Sequence, residues 1–267
     1  MEVSGRDPSF RSDLPIGMVL AEGDICLVTG ASSGFGEAIA LALGGAKCKV
    51  AIFARRADRL EAVAEKIRTH GGEALVVVGD VAKKEDVSRC VQEVVAKWGT
   101  IHHLINNAGI MLLAYFKNAD LGDLDAMIDV NIKGPIYCTH AVLPHMRQAN
   151  KTCNIISISS DADRKVFPGS ATYSATKAAL SLFSEGVRFE CANDKVPVRF
   201  TSISAGAGAT ELFSHVPDQE IKTLFGSFPP MHMLNGPDIA SVVMNVLQSA
   251  DHMDYNNILV RPTEQAS

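Results

Sequence analysis

Seven short runs of apolar and β-branched residues punctuate the chain: ICLVTG (25–30), CKVAIFA (48–54), EALVVVG (73–79), IHHLINN (101–107), CNIISIS (153–159), VPVRFTSIS (196–204) and NNILVRP (256–262). Between them lie stretches with apolar residues at helical spacing: 36–46, 58–69, 84–98, a long one at 121–148, another around 171–192, and 237–249. A strand that is apolar at nearly every position must be covered on both faces. Strands alternating with helices in this way give a parallel sheet between two helical layers.

Right-handed crossovers wind such a pattern into a Rossmann-type doubly wound parallel sheet of about seven strands, a three-layer α/β sandwich. Residues 23–267 show no linker or composition break and read as a single domain. Residues 1–22 mix Arg6, Asp7, Arg11 and Asp13 with Pro8 and Pro15; they read as a flexible leader without the apolar core of a secretory signal. The segment 206–235, rich in Gly, Pro, Phe and Met, reads as a lid or, alternatively, as a poorly ordered excursion. A formal net charge of −5 with both signs interspersed gives no global attraction to nucleic acid or to an anionic membrane surface. No run reaches 18 uninterrupted apolar residues, so no membrane span is expected. Six singly placed cysteines read as buried, reduced thiols of a cytoplasmic protein. The histidines have no metal-ligand spacing, so no metal is expected, and His102-His103 reads as a surface turn.

TGASSGFG (29–36) sits where the first strand hands over to the first helix. Gly30, Gly34 and Gly36 permit the tight turn and let the backbone approach a pyrophosphate, which the helix N-terminus stabilises. Ser32, Ser33 and Phe35 share that turn as further candidate contacts. A site for NAD carries an acid at the end of the second strand, bound to the ribose 2′-hydroxyl. FARRADRL places Arg55 and Arg56 there instead. Guanidinium groups grip a 2′-phosphate through paired hydrogen bonds, whereas a carboxylate repels it. The plain alternative is two solvated arginines at a helix start. NADP(H) is the expected cofactor, on a dinucleotide-binding catalytic domain.

TYSATKAAL (172–180) sets Tyr173 and Lys177 one turn apart on one helix face, which Ala175, Ala178 and Ala179 leave with little bulk. Reduction of a carbonyl needs a hydride on carbon and a proton on oxygen. A free phenol, with a pKa of about 10, is a poor base near neutrality, and a neighbouring cation favours its phenolate. Tyr173 is therefore expected to be the general acid in reduction and the base in oxidation, with its pKa lowered by Lys177.

These motifs together resemble the short-chain dehydrogenase/reductase family. T-G-x3-G-x-G is followed in order by NNAG (106–109), Asn131 in DVNIKG, Ser160 thirteen residues before Tyr173, and Tyr-x3-Lys, over about 24–262. The resemblance implies that Ser160 polarises the substrate oxygen and that Lys177 also holds the nicotinamide ribose. It further implies that Asn131 holds a water linking Lys177 to solvent, and that Asp80 and Val81 meet the adenine. Asn107 and Gly109 would line the cofactor, Asn107 alternatively serving only as a structural tie. Gly206, Gly208 and Thr210 would meet its carboxamide and phosphate side. A homodimer or homotetramer is the family's usual assembly. The closing ILVRPTEQ, with GPDIA before it, resembles a subgroup containing NADP-dependent 3-hydroxy acid (serine-type) dehydrogenases. NNAGIMLL and MIDVN are similar to the aldehyde reductase of clavulanic acid biosynthesis. Both imply a small-to-medium carbonyl or alcohol substrate.

Two departures stand out. Ala205 replaces a proline after the sixth strand, which should loosen the entry to the lid. Asp163 replaces a glycine and, with Arg164 and Lys165, brings charge near the site; Arg164 is the candidate partner for an acidic substrate. Phe213, Phe225, Phe228, Met231 and Met233 give the lid an apolar closing surface or serve as plain packing. Two other functions fit the same scaffold: a dinucleotide sensor without turnover, and an isomerase, dehydratase or epimerase that retains its dinucleotide.

Overall fold

The computed structural model describes residues 20–265. Most of the expected leader, residues 1–19, lies outside them. Seven strands form one parallel sheet: β1 (Ile25–Thr29), β2 (Lys49–Ala54), β3 (Glu73–Val78), β4 (His103–Asn106), β5 (Cys153–Ser160), β6 (Val198–Ala205) and β7 (Asn257–Val260), in the order β3-β2-β1-β4-β5-β6-β7. The helices are α1 (Gly34–Gly45), α2 (Ala57–Thr69), α3 (Lys84–Trp98), α4 (Leu121–Ile128), α5 (Gly134–Arg147), α6 (Ala171–Asn193), α7 (Gln219–Gly226) and α8 (Gly236–Leu247).

Alternate residues of β1 to β6 feed two separate cores, and β7 adds Ile258 and Val260 to the first. Val28, Ile52, Ile105, Ile156 and Ile203 pack with Ile39 and Leu43 of α1, Leu60 of α2 and Val243 of α8. Leu27, Phe53, Leu104, Ile155 and Phe200 pack with Val87 and Val91 of α3 and Val142 of α5. Because both faces are apolar, polar–apolar alternation cannot set the strand register. Polar residues at the strand ends do so. Thr29 Oγ1 accepts from the backbone N–H groups of Asn107 and Ala108, both at 3.0 Å, and so fixes the end of β1 against that of β4.

His102-His103 is not a surface turn. His103 opens β4 fully buried, its Nε2 3.1 Å from Asp24 Oδ2. Arg199 Nε donates to Asn154 Oδ1 at 2.8 Å, which turns the Asn154 amide N–H towards His103 Nδ1 at 3.1 Å. Nδ1 is thereby an acceptor, and the ring proton belongs on Nε2, facing Asp24. Burial holds His103 below the ordinary histidine pKa, so the ring is neutral. The remaining Arg199 donors reach Val246 O at 3.0 Å and Ala250 O at 2.9 Å, fastening the C-terminal end of α8. The sequence pattern missed this cluster because histidine and arginine are usually surface residues and only pairing makes them fit for a core.

Two further segments differ from expectation. The stretch 121–148 is broken by a π turn at Asp129–Lys133, which separates α4 from α5. The expected loop 206–235 contains a 3₁₀ turn, Glu211–His215, and the helix α7. Asp218 starts that helix by accepting from the N–H groups of Glu220 (2.8 Å) and Ile221 (3.3 Å).

Candidate active site

The C-terminal ends of the strands meet along one edge of the sheet, where open α/β sheets bind their ligands. Gly30 has φ +65°, and a Cβ placed on it would stand 2.7 Å from Ala108 Cα. A Cβ on Gly36 would collide with Asn107 Nδ2 and the Gly30 carbonyl. Asn107 explains this crowding: its amide donates to Thr29 O at 3.0 Å and Gly30 O at 3.2 Å. Its side chain is thus a strut beneath the glycine turn.

Arg55 and Arg56 take different directions. Arg56 folds back onto the glycine turn, with Nε and Nη2 donating to Ser32 Oγ (3.1 and 2.9 Å) and Nη2 to Ser33 Oγ (2.7 Å). Arg55 is exposed, 3.9 Å from Asp80 Oδ2. Asp80 Oδ1 accepts from Ala82 N at 3.0 Å, and buried Val81 packs beneath Gly134. From the segment after β6, Gly208 packs against the Phe35 ring and the Thr210 methyl lies over Gly34. Gly206 is turned away from this turn, against Arg261 and Gln265.

Ser160 ends β5 directly across from α6, where Tyr173 and Lys177 are both buried. The Ser160 side chain lies close enough to the Tyr173 phenol to lower its pKa, and Ser160 Oγ accepts from Ala162 N at 3.2 Å. Burial pushes the phenol up to about 12, outweighing the lowering by Ser160. The net shift is therefore upward, against the lowering expected from a neighbouring cation, because desolvation dominates. Lys177 Nζ donates to Ile158 O at 3.0 Å, stands 5.8 Å from the Tyr173 ring centre, and is itself pushed down to about 8 by burial. Desolvation acts on both groups and favours the neutral form of each.

Asn131 lies in the π turn, where the extra residue per turn swings its side chain inward. Its Oδ1 accepts from Ile110 N at 2.8 Å, while Nδ2 donates to Ile110 O (2.9 Å) and Thr176 Oγ1 (3.1 Å). It thus bonds the neighbour of Lys177 in the chain. A Cβ on Gly109 would sit 3.4 Å from both Asn131 Oδ1 and Lys177 Nζ, so glycine keeps a space open between them.

Asp163 turns inward. Its carboxylate accepts from Ser181 Oγ (2.8 Å), Ser204 Oγ (2.5 Å) and Ser159 Oγ (3.3 Å), and from Arg164 Nε at 2.8 Å. Arg164 also donates to Ser204 Oγ and Asn257 Oδ1, on the β6–β7 side. Lys165 Nζ is 2.6 Å from Asp161 Oδ2, which also receives Arg261 Nε (3.1 Å) and Gln265 Nε2 (2.7 Å). Neither Arg164 nor Lys165 presents an unpaired cation to the site.

The lid entry is stapled where loosening was expected. Ala205 keeps its place in the ladder opposite Ser160 and Val260. Ala207 N donates to Gln265 Oε1 (2.9 Å), Leu234 N to Ala207 O (2.9 Å), and His232 N to Glu264 Oε2 (2.9 Å). Gln265 and Glu264 of the C-terminal segment thus tie both ends of this stretch. Val216, Ile221 and Phe225 of the lid pack with Leu113, Met127 and Tyr173. Phe225 also contacts the rings of Phe167, Phe213 and Phe228, whereas Met233 is largely exposed.

The family model described as short chain dehydrogenase matches residues 24–221. An uncharacterized oxidoreductase of Listeria monocytogenes is 34% identical over 241 residues, covering 90% of this chain and 97% of the relative. Among solved structures, the closed form of a serine dehydrogenase complexed with NADP+ superposes with TM-score 0.81 at 30% identity, covering 91% of this chain and 96% of that one. An alcohol dehydrogenase from Thermococcus sibiricus complexed with 5-hydroxy-NADP gives TM-score 0.80 at 26% identity, with coverages of 92% and 99%.

Proposed function

The chain belongs to the short-chain dehydrogenase family, and from that premise we propose that it is an NADP(H)-dependent oxidoreductase interconverting a small-to-medium carbonyl and its alcohol. The carrying observation is the buried Tyr173 phenol, beside Ser160 at the end of β5 with Lys177 one turn further along α6. The donor set at the strand ends fits a 2′-phosphorylated dinucleotide. Arg56, Ser32 and Ser33 offer a guanidinium fork and two hydroxyls, and Gly109 leaves room beside Lys177. Gly30, Gly36, Gly208 and Thr210 line the turn, and Asp80 and Val81 would meet the adenine.

NADPH, when bound, supplies the hydride for the carbonyl carbon. Tyr173 holds its proton through neutral pH and donates it to the carbonyl oxygen; in the reverse direction it takes that proton back. Ser160 orients the same oxygen through its hydroxyl. Lys177 remains charged below about pH 8, where its field stabilises the phenolate left after proton transfer. Asn131 holds the α4–α5 junction against Ile110 and Thr176, and so positions the helix turn that carries Lys177.

The substrate side is apolar. Tyr173 shares a cluster with Leu113, Met127, Val216, Ile221 and Phe225, and Arg164, Lys165 and Arg261 are paired to Asp163 or Asp161. Despite the likeness to a serine dehydrogenase, this favours an apolar ketone or aldehyde over a 3-hydroxy acid. A homodimer or homotetramer belongs to the same reading, supported by Leu182 and Phe189 of α6, 75% and 61% exposed. The test is NADPH oxidation with matched apolar ketones and keto acids. Preferential turnover of the apolar members is expected; preferential turnover of the acids would overturn the substrate class, and no turnover of any carbonyl would overturn the activity.

A further inference from the structure

Glu211, the first residue of the 3₁₀ turn in the lid, has no part in the chemistry described above, yet it reaches across to the start of α2. Its Oε2 lies 2.8 Å from Arg56 Nη1 and its Oε1 lies 2.6 Å from Arg59 Nη1. Hydrogen bonds from Arg56 and then Arg59 hold this carboxylate down to about 2, so it is ionised throughout the neutral range. Arg56 Nε and Nη2 donate to Ser32 and Ser33. One arginine thus joins three elements: the glycine turn, α2 and the lid. Thr210, the residue before Glu211, already lies over Gly34, so the carboxylate is delivered to the arginine by the same stretch that covers the turn.

The anionic oxygens of Glu211 take the donors that a ribose 2′-phosphate would need. A phosphate monoester near neutrality carries between one and two negative charges, and it cannot share Arg56 with a carboxylate at ion-pair distance without strong repulsion. A 2′-hydroxyl has no such conflict, because it can donate to a carboxylate, as it does to the acid of an NAD site.

We propose that Glu211 is a latch on the 2′-phosphate subsite that sets cofactor discrimination: it competes with the 2′-phosphate of NADP(H) for Arg56, tolerates NAD(H), and is released when NADP(H) binds. Release frees the Arg56–Glu211 and Arg59–Glu211 bridges together, so occupation of the subsite loosens the lid at its N-terminal anchor. The Asp218 anchor to Tyr115 N (3.1 Å) and Asn118 Nδ2 (3.0 Å) stays in place. The lid is therefore hinged at residues 211–217 and does not detach as a whole.

This inference rests on the NADP(H) reading, and the experiment separates the two. Dissociation constants for NADPH and NADH are measured on the full chain, on Glu211→Gln and Glu211→Ala, and on Arg56→Ala as a control. Both bridges are partly exposed, so their loss is expected to tighten NADPH about three- to tenfold, while NADH is unchanged or slightly weaker. Thermal melts of each variant establish that it is folded. If the unmodified chain prefers NADPH through Arg56 but both Glu211 variants bind NADPH within twofold of it, the latch is overturned and the NADP(H) reading stands. If neither the unmodified chain nor the Glu211 variants prefer NADPH to NADH, the NADP(H) reading itself fails; if Arg56→Ala leaves NADPH binding intact, the subsite is not at Arg56 and the latch is overturned with it. Hydrogen exchange supplies a second readout: amides of 211–216 should exchange faster with NADPH than with NADH, and equal rates would overturn the release step.

Discussion

Lys177 Nζ stands 5.8 Å from the centre of the Tyr173 ring, and its hydrogen bond goes to the Ile158 carbonyl at 3.0 Å. The cation therefore acts on the phenol through space, and its charge is what matters. Burial lowers Lys177 to about 8, with nearby Asp163 opposing that shift. Carbonyl reduction should be level below pH 8 and fall above it as the ammonium deprotonates. Asp163→Asn removes the opposing charge and should move the falling limb to lower pH. Profiles of kcat/KM against pH for both proteins check this; an unmoved limb would show that Asp163 has only a structural role.

Tyr173→Phe removes the proposed proton donor and keeps the ring packed with Leu113 and Phe225. A positioned general acid contributes roughly a hundred- to ten-thousandfold. Turnover should fall by that order while NADPH affinity stays within about twofold, read by steady-state rates and by fluorescence titration of the cofactor.

The two adjacent arginines should not be equivalent. Charge-assisted hydrogen bonds contribute about 1.5–3 kcal/mol each, so Arg56→Ala should weaken NADPH about ten- to a hundredfold and barely change NADH. Arg55, exposed and 3.9 Å from Asp80, should cost about threefold or less in the same binding assay.

Asp24 supplies a stability test far from the site. Burial alone would raise its pKa, but hydrogen bonds from His103 and from Lys151, at 2.7 Å to both oxygens, hold it well below the carboxylate range. A depressed folded pKa stabilises the protein above about pH 4, and the contribution is lost as pH falls further. Asp24→Asn should cost about 3 kcal/mol at pH 7 by urea unfolding. The gap between the two proteins should narrow as the pH drops below 4; a constant gap would mean that lost packing, not charge, carries the effect.

The sheet was readable in the sequence because each strand is apolar on both faces and each crossover helix has its own period; strand ends moved by two residues at most. The glycine turn and the Tyr173–Lys177 spacing were readable because both lie within one short stretch. What escaped lies between stretches. The π turn that aims Asn131 inward leaves no mark on a helical pattern. Glu211 meets Arg56 across 155 residues, and Gln265 meets Asp161 across 104, separations at which no local pattern carries information. The direction of the Tyr173 shift escaped for another reason: spacing gives the distance to the cation, whereas desolvation depends on everything else packed around the ring.

The strand order has a consequence for the order in which the molecule can assemble. β1 sits between β2 and β4, so one of its edges can pair once β2 exists, while the other stays open until the chain reaches His103–Asn106. During synthesis, about fifty residues separate the two events, and throughout that interval Cys26, Leu27 and Val28 offer an unpaired apolar edge. A nascent chain stalled between β3 and β4 would therefore be its own most adhesive species. Folding from the N-terminus cannot close the centre of this sheet until the fourth strand arrives.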